Sequence, residues 1–235
     1  MTVYMLSNSL SFPSPEDADQ EGLLAIGGDL SPERLVLAYS MGIFPWFSEE
    51  DPILWWSPDP RMVIRPENFE PSRSLRKAYK RGEYRLSMDE DYEAVVRACA
   101  RVPRRGQDGT WITQEMQNAY IALHRTGVGH SVECWSGDDL VGGLYGLSLG
   151  DCFFGESMFS KRSNTSKLAF WALTHHCREV GIRLVDCQLH NEHLESLGAY
   201  IVSRSEYLQQ LYGLVSADTR KGSWTEAFCE STQDL

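Results

Sequence analysis

The chain has 235 residues, 42% hydrophobic and 23% charged, with seven tryptophans, which supplies a sizeable core and excludes a disordered or fibrous protein. Its net charge of −11 argues on average against a nucleic-acid partner, although the average conceals a local reversal between Arg73 and Arg85. No apolar run approaches the roughly 18 residues of a membrane helix; Met1 to Gln20 has no leader pattern, and the six cysteines lack disulfide-scaffold spacing, so a soluble protein of the reducing cytosol is expected.

The first sixty or so residues read as short elements. Ser31 caps a helix that has Pro32 at its first position and apolar residues at Leu35, Val36, Ala38 and Tyr39, and Gly42 closes it. Two Pro-bounded aromatic clusters follow, Ile43 to Phe47 and Ile53 to Pro60. Their closeness suggests a packed junction, with a domain boundary near Pro60 to Arg65. Pro71 to Gly82 reads as a helix. Arg73, Arg76, Lys77 and Lys80 share one stripe at i, i+3, i+4 and i+7, with Leu75, Ala78 and Tyr79 opposite for packing. Arg81 and Arg85 extend this basic segment against the single acid Glu83, and Arg97, Arg101, Arg104 and Arg105 follow. A concentrated basic patch on an acidic body offers a place for a polyanion, although a solvated helix face has the same pattern. Helices are predicted from Asp89 to Ala100 and from Thr113 to Arg125.

The second half changes rhythm. Ser131 to Trp135, Leu140 to Leu149 and Cys152 to Met158 read as strands of an antiparallel meander separated by turn residues. A helix from Ser166 to Val180, a strand from Ile182 to Leu189 and a helix from Glu192 to Leu197 complete it. The fold class is α+β, a mixed α/β arrangement: a small N-terminal domain over residues 1–62 and a larger domain over 63–235. The meander, helix and strand resemble the N-acyltransferase (GNAT-like) fold of acetyl-CoA enzymes. Those cradle CoA in a glycine-rich loop, whereas Ser160 to Lys167 contains no glycine, which argues against CoA as donor.

Three sets of residues could carry chemistry. Alternation on the last strand puts Asp186 and Gln188 on one face, roughly 7 Å apart, with Asn191 just beyond; on spacing alone, a polar strand end turned to solvent is the commoner meaning of that pattern. Glu156 sits among Phe153, Phe154, Met158 and Phe159, where a buried acid needs a partner or a purpose and a wet-face acid needs neither. Trp46, Trp55, Trp56 and Trp111 suit either base stacking or the core. Histidines and cysteines show neither CxxC nor HExxH spacing, so no metal is expected.

Seven stretches resemble the leucyl/phenylalanyl-tRNA–protein transferase family: Gly22 to Leu30, Gly42 to Phe47, Trp55 to Arg61, Thr110 to Thr113, Val141 to Gly146, Phe154 to Ser160 and Asp186 to Gln188. They span most of the chain; departures are Leu144, where relatives carry methionine, and the tail after Ser216. The resemblance implies transfer of Leu or Phe, less readily Met, from aminoacyl-tRNA to proteins with N-terminal Lys or Arg, marking them for N-degron degradation. It implies Asp186 and Gln188 as the catalytic pair and Glu156 and Asn191 at the aminoacyl end. Leu144, Phe153 and Met158 would line the side-chain pocket, and Trp46 and Trp111 would flank the acceptor adenosine. Arg73, Arg76, Lys77, Lys80, Arg81 and Arg85 would hold tRNA. No cofactor is implied, because an aminoacyl ester is already activated, and a cytoplasmic monomer is expected. An α-amine with a pKa near 7.7–8.0 is poorly matched to an aspartate near 3.9 as base, so Asp186 is read as orienting and polarising Gln188. The alternatives are an acetyl-CoA N-acetyltransferase, a cell-wall aminoacyl-tRNA-dependent ligase and a non-catalytic RNA-binding module.

Overall fold

The two Pro-bounded aromatic segments pair with each other as strands. In the computed structural model, which describes residues 3–102 and 111–225, β3 (Phe44–Pro45) lies antiparallel to β4 (Leu54–Trp56). With β1 (Tyr4–Leu6) and β2 (Leu23–Gly27) they form a four-stranded sheet in the order β1-β2-β4-β3. Trp55 Nε1 donates to the Gly27 carbonyl at 2.8 Å, and Trp56 Nε1 to the Trp46 carbonyl at 2.7 Å, so both indoles satisfy their polar end inside the unit. Helix α1 (Pro32–Ser40) starts where the Ser31 hydroxyl accepts from the Arg34 N–H, and ends at Met41 before Gly42 in the left-handed region at φ 77°.

The larger sheet has seven strands in the order β11-β5-β10-β9-β8-β7-β6. The predicted meander is β7 (Gly129–Ser136), β8 (Asp139–Leu149) and β9 (Cys152–Ser160), followed by α5 (Thr165–Val180) and the parallel strand β10 (Leu184–Gln188). The mixed α/β class and the expected order of meander, helix and strand are therefore observed. Four further elements were not expected: β5 (Arg61–Ile64), β6 (Arg85–Met88), β11 (Tyr200–Val202) and α7 (Arg204–Val215). Strand β5 occupies the segment read as a boundary; its four buried residues run between β10 and β11, masked in the sequence by the prolines before it. The helix expected from Asp89 is α3 (Tyr92–Arg101), capped by Asp91. Asp89 instead sits at φ 55° and accepts from the Ser131 and Trp224 N–H groups, both at 2.8 Å. Arg104, Arg105, Thr110, Cys229 and the rest of the chain after Thr225 lie outside the described residues.

Apolar residues divide between the two faces of this sheet. One face holds α2 (Arg73–Lys80) and α5, whose Leu75, Leu168, Phe170 and Leu173 cluster with Leu144, Phe153, Val185 and Cys187. The other holds α3, α4 (Gln114–Arg125), α7 and the N-terminal sheet, with Leu24, Tyr39, Trp55, Tyr120, Phe154 and Tyr207 in one continuous core. The five described cysteines are buried. No helix among the described residues is long and apolar enough to cross a membrane.

Gly146 of β8 leaves no room for a side chain against β9. It pairs with Gly155 at an irregularity in the ladder, and a Cβ there would lie 2.1 Å from the Phe154 carbonyl and 2.7 Å from the Phe153 ring. Overpacking at such a point typically costs about 1–3 kcal/mol. Gly146→Ala is expected to lower the urea midpoint accordingly; an unchanged midpoint would show that the two strands can separate freely.

Candidate active site

A cleft of about 550 Å³ passes through the larger sheet where β9 and β10 part. The strands pair only from Cys152 to Phe154 against Leu184 to Asp186, after which β9 continues to Ser160 and β10 ends in an irregularity at Gln188. The separation gives the cleft two chemically different sides. Toward α5 it is lined by Leu144, Phe153, Phe170, Leu173, Val185 and Cys187; toward α1 and α4 it presents Tyr145, Glu156, Gln188, Trp46 and Trp111.

Asp186 does not line the cleft. It is fully buried, in a two-point ion pair with Arg61: Nε to Oδ1 at 2.9 Å and Nη2 to Oδ2 at 2.6 Å. The Tyr207 hydroxyl of α7 also donates to Oδ2, at 2.8 Å. The guanidinium lies 4.8 Å from the Phe44 ring centre and 4.5 Å from that of Tyr207. Burial opposes its charge, but Asp186 and Tyr207 beside it hold its pKa above the ordinary arginine value. Asp186 Oδ1 accepts in addition from the Gln188 backbone N–H at 3.0 Å, and Gln188 takes the left-handed conformation at φ 57°. A non-glycine residue there requires a surrounding that over-determines it, and the anchored carboxylate provides one. The side chains of Asp186 and Gln188 do fall on the same face, but they meet through the backbone rather than side chain to side chain. Both are buried, so the reading of a solvent-facing strand end does not hold.

Glu156 lies half-buried on β9 with both oxygens engaged. Oε1 accepts from the Tyr39 hydroxyl at 2.7 Å and from Gln188 Nε2 at 3.1 Å, and Oε2 accepts from the Tyr120 hydroxyl at 2.6 Å. The two hydroxyls are themselves 2.6 Å apart. Burial pushes the Glu156 pKa up to about 7, against the lowering effect of the two tyrosines. Burial and the neighbouring Glu156 charge push both tyrosines well above their ordinary range, so they remain proton donors.

The sequence-predicted residues divide clearly. Leu144, Phe153, Met158, Glu156, Gln188, Asn191, Trp46 and Trp111 all line the one cleft. The side-chain carbonyl of Asn191 is committed to capping α6 (Glu192–Glu195), accepting from the His193 and Leu194 N–H groups, which leaves its amide nitrogen as the outward donor. Sequence reasoning missed Phe170, Leu173, Val185 and Leu194, which read as ordinary core positions, and Arg61, Tyr39, Tyr120 and Tyr207, whose partners lie far away along the chain. Of the basic residues, Arg73, Arg76, Lys77 and Lys80 are exposed on α2. Arg76 Nε donates to the Pro71 carbonyl, Arg81 pairs with Glu83 at 3.7 Å, and Arg85, on β6, forms a fork with Glu90. Among the described residues no group of three or more His, Cys, Asp or Glu side chains is placed to hold a metal ion.

The chain is similar to known proteins over most of its length. Residues 63–212 match the family described as leucyl/phenylalanyl-tRNA protein transferase, and residues 28–59 match its N-terminal domain. Proteins named leucyl/phenylalanyl-tRNA–protein transferase are similar over nearly their full length. That of Anaeromyxobacter sp. (strain Fw109-5) is 51% identical, covering 95% of each chain. That of Pseudomonas fluorescens (strain Pf0-1) is 55% identical, covering 90% of this chain and 94% of the relative. Among solved structures, a GCN5-related N-acetyltransferase from Kribbella flavida superposes with a TM-score of 0.41 at 13% identity, over 72% of this chain and 60% of that one. L-PGS from Bacillus licheniformis does so with 0.39 at 16% identity, over 74% and 55%.

Breaking a buried pair from one side leaves an uncompensated charge, at a cost of about 3–5 kcal/mol. Arg61→Leu is expected to lower unfolding free energy by that amount, and Arg61→Leu with Asp186→Leu to recover most of it. A single variant within about 1 kcal/mol of the parent would mean that water screens the pair, as it does exposed ones.

Proposed function

The chain belongs to the leucyl/phenylalanyl-tRNA–protein transferase family, and from that premise we propose that it moves leucine or phenylalanine, and methionine less readily, from charged tRNA onto proteins that begin with Lys or Arg. The product would enter the N-degron pathway, and the enzyme would act in the cytoplasm as a monomer. The observation that carries this reading is the two-sided cleft: an apolar chamber bounded by Leu144 and Phe153 opens directly onto Gln188 and Glu156. An apolar amino-acid side chain fits the chamber while its ester carbonyl meets the polar side. The division at residue 62 into a small N-terminal unit and a larger catalytic one belongs to the same proposal, with Trp46 from the first and Trp111 from the second flanking the terminal adenosine.

The chemistry asks little of the protein beyond placement. The ester is already activated, and the nucleophile is an α-amine with a pKa near 7.7–8.0, partly neutral at working pH. Holding both substrates together supplies much of the acceleration. Because Gln188 Nε2 donates to Glu156, its carbonyl oxygen is left to accept from the incoming amine as charge develops. Asp186, enclosed by Arg61 and Tyr207, is a positioning residue in this scheme: it fixes the Gln188 backbone and does not touch substrate. Glu156 and the Asn191 amide would face the aminoacyl end.

Arg73, Arg76, Lys77 and Lys80, with Arg81 and Arg85 at the edge, would take the acceptor-stem phosphates, contacts that carry no base information and let the amino acid decide. The acetyl-CoA reading has no support at the loop before α5, which lacks glycine and is closed by Thr165 Oγ1 on the Val141 carbonyl at 2.9 Å. A muropeptide amine as acceptor, or RNA binding without catalysis, is favoured by no observation.

Labelled leucine should pass from Leu-tRNA to a protein with N-terminal Arg and not to its N-terminal Gly counterpart. Transfer to both, or to neither while charged tRNA stays bound, would overturn the proposed acceptor. Arg76→Ala with Lys80→Ala should raise KM for charged tRNA and reduce the slope of its salt dependence by roughly 1.5, at somewhat under one per phosphate contact. A slope equal to that of the parent would exclude the stripe as the tRNA surface.

A further inference from the structure

We propose that Glu156 is the proton acceptor of the transfer step, and that Tyr39 and Tyr120 are positioning residues that hold its carboxylate beside Gln188. The inference rests on the aminoacyl-transfer reading above. Its basis is the convergence of three donors, from α1, α4 and β10, on one carboxylate in the cleft wall. Oε1 carries two of these bonds and Oε2 one, so Oε2 keeps acceptor capacity toward an incoming N–H. Asp186 is unsuited to the role, since its oxygens are occupied by Arg61, Tyr207 and the Gln188 N–H, away from the cleft.

The step balances without a co-reactant. The amine nitrogen forms the new C–N bond to the ester carbonyl carbon and gives one proton to Glu156. As the C–O bond breaks, the departing ribose oxygen takes a proton, and Glu156 returns to its carboxylate. The titratable and charged groups around Glu156 are Tyr39, Arg61, Tyr92, Tyr120, Tyr145 and Asp186. Burial and Asp186 raise its pKa while the two tyrosine hydroxyls and Arg61 lower it, and the balance near 7 matches a base for an amine of about 7.7–8.0.

The test is the pH profile of kcat/KM for transfer between pH 5.5 and 9, for the parent enzyme, Tyr39→Phe, Tyr120→Phe and Glu156→Gln, with unfolding midpoints measured alongside. Removing a hydroxyl that stabilises the carboxylate should move the acid limb up by about 1 pH unit, a tenfold loss at low pH that shrinks as pH rises. The acceptor's own ionisation is the same in every variant, so a moved limb reports Glu156. Glu156→Gln should lose about a hundredfold, the low end of what a positioned base supplies, and retain only the limb of the acceptor amine. Tyrosine variants that lose rate equally at all pH, or Glu156→Gln within about threefold of the parent, would overturn the inference alone. Absence of transfer by the parent enzyme would overturn the reading beneath it.

Discussion

Arg61 and Asp186 meet through a two-point fork across 125 residues of chain, with neither side chain exposed. Arg61 begins the strand that follows the N-terminal unit, Phe44 of that unit covers its guanidinium, and Tyr207 of α7 closes the other side. One ionic contact thus joins β5 to β10, with Phe44 of the N-terminal sheet over its guanidinium and Tyr207 of α7 on its carboxylate. A buried pair of this kind is weak evidence for net stability, because desolvation offsets much of the attraction. Its stronger consequence is geometric. With Asp186 fixed, its Oδ1 holds the Gln188 N–H, and β10 turns out of the ladder where β9 continues.

That turn opens the sheet, and the opening explains how one cleft can have an apolar and a polar side. Alternation sends Val185 and Cys187 toward α5 and Leu184 and Asp186 toward α7, so a gap between two parallel strands exposes both faces of the sheet at once. A substrate with an apolar side chain and a polar ester can span it without burying either part in the wrong surroundings. Glu156 completes the polar side because Tyr39 and Tyr120 reach it from helices in different parts of the chain.

Local signals carried much of this into the sequence. Ser31, Ser72 and Thr113 each accept a backbone N–H at the start of the helix they cap, as their side chains suggest. Leu75 is buried beneath the exposed Arg73, Arg76 and Lys77 on α2, as the stripe requires. Most of the cleft lining, from Trp46 to Gln188, falls in or beside the stretches that carry the family resemblance. Contacts between distant segments were not legible. Arg61 looked like the end of a proline-rich junction, and Tyr39 and Tyr120 like helix core, because nothing near them in sequence names Asp186 or Glu156 as partner. Asp89 was drawn into α3 because its long-range role, holding Ser131 and Trp224, leaves no local trace. Strands β5 and β11 are too short for alternation to stand out.

In the function proposed above, the gap between β9 and β10 is where the aminoacyl group sits. A crystal structure with leucine joined by a stable amide to the 3′ position of adenosine tests it most directly. The leucine side chain is expected against Leu144, Phe153 and Met158, its carbonyl turned toward Gln188 and Glu156, and the adenine between Trp46 and Trp111. An analogue bound elsewhere on the sheet, or with its side chain outside this chamber, would contradict it.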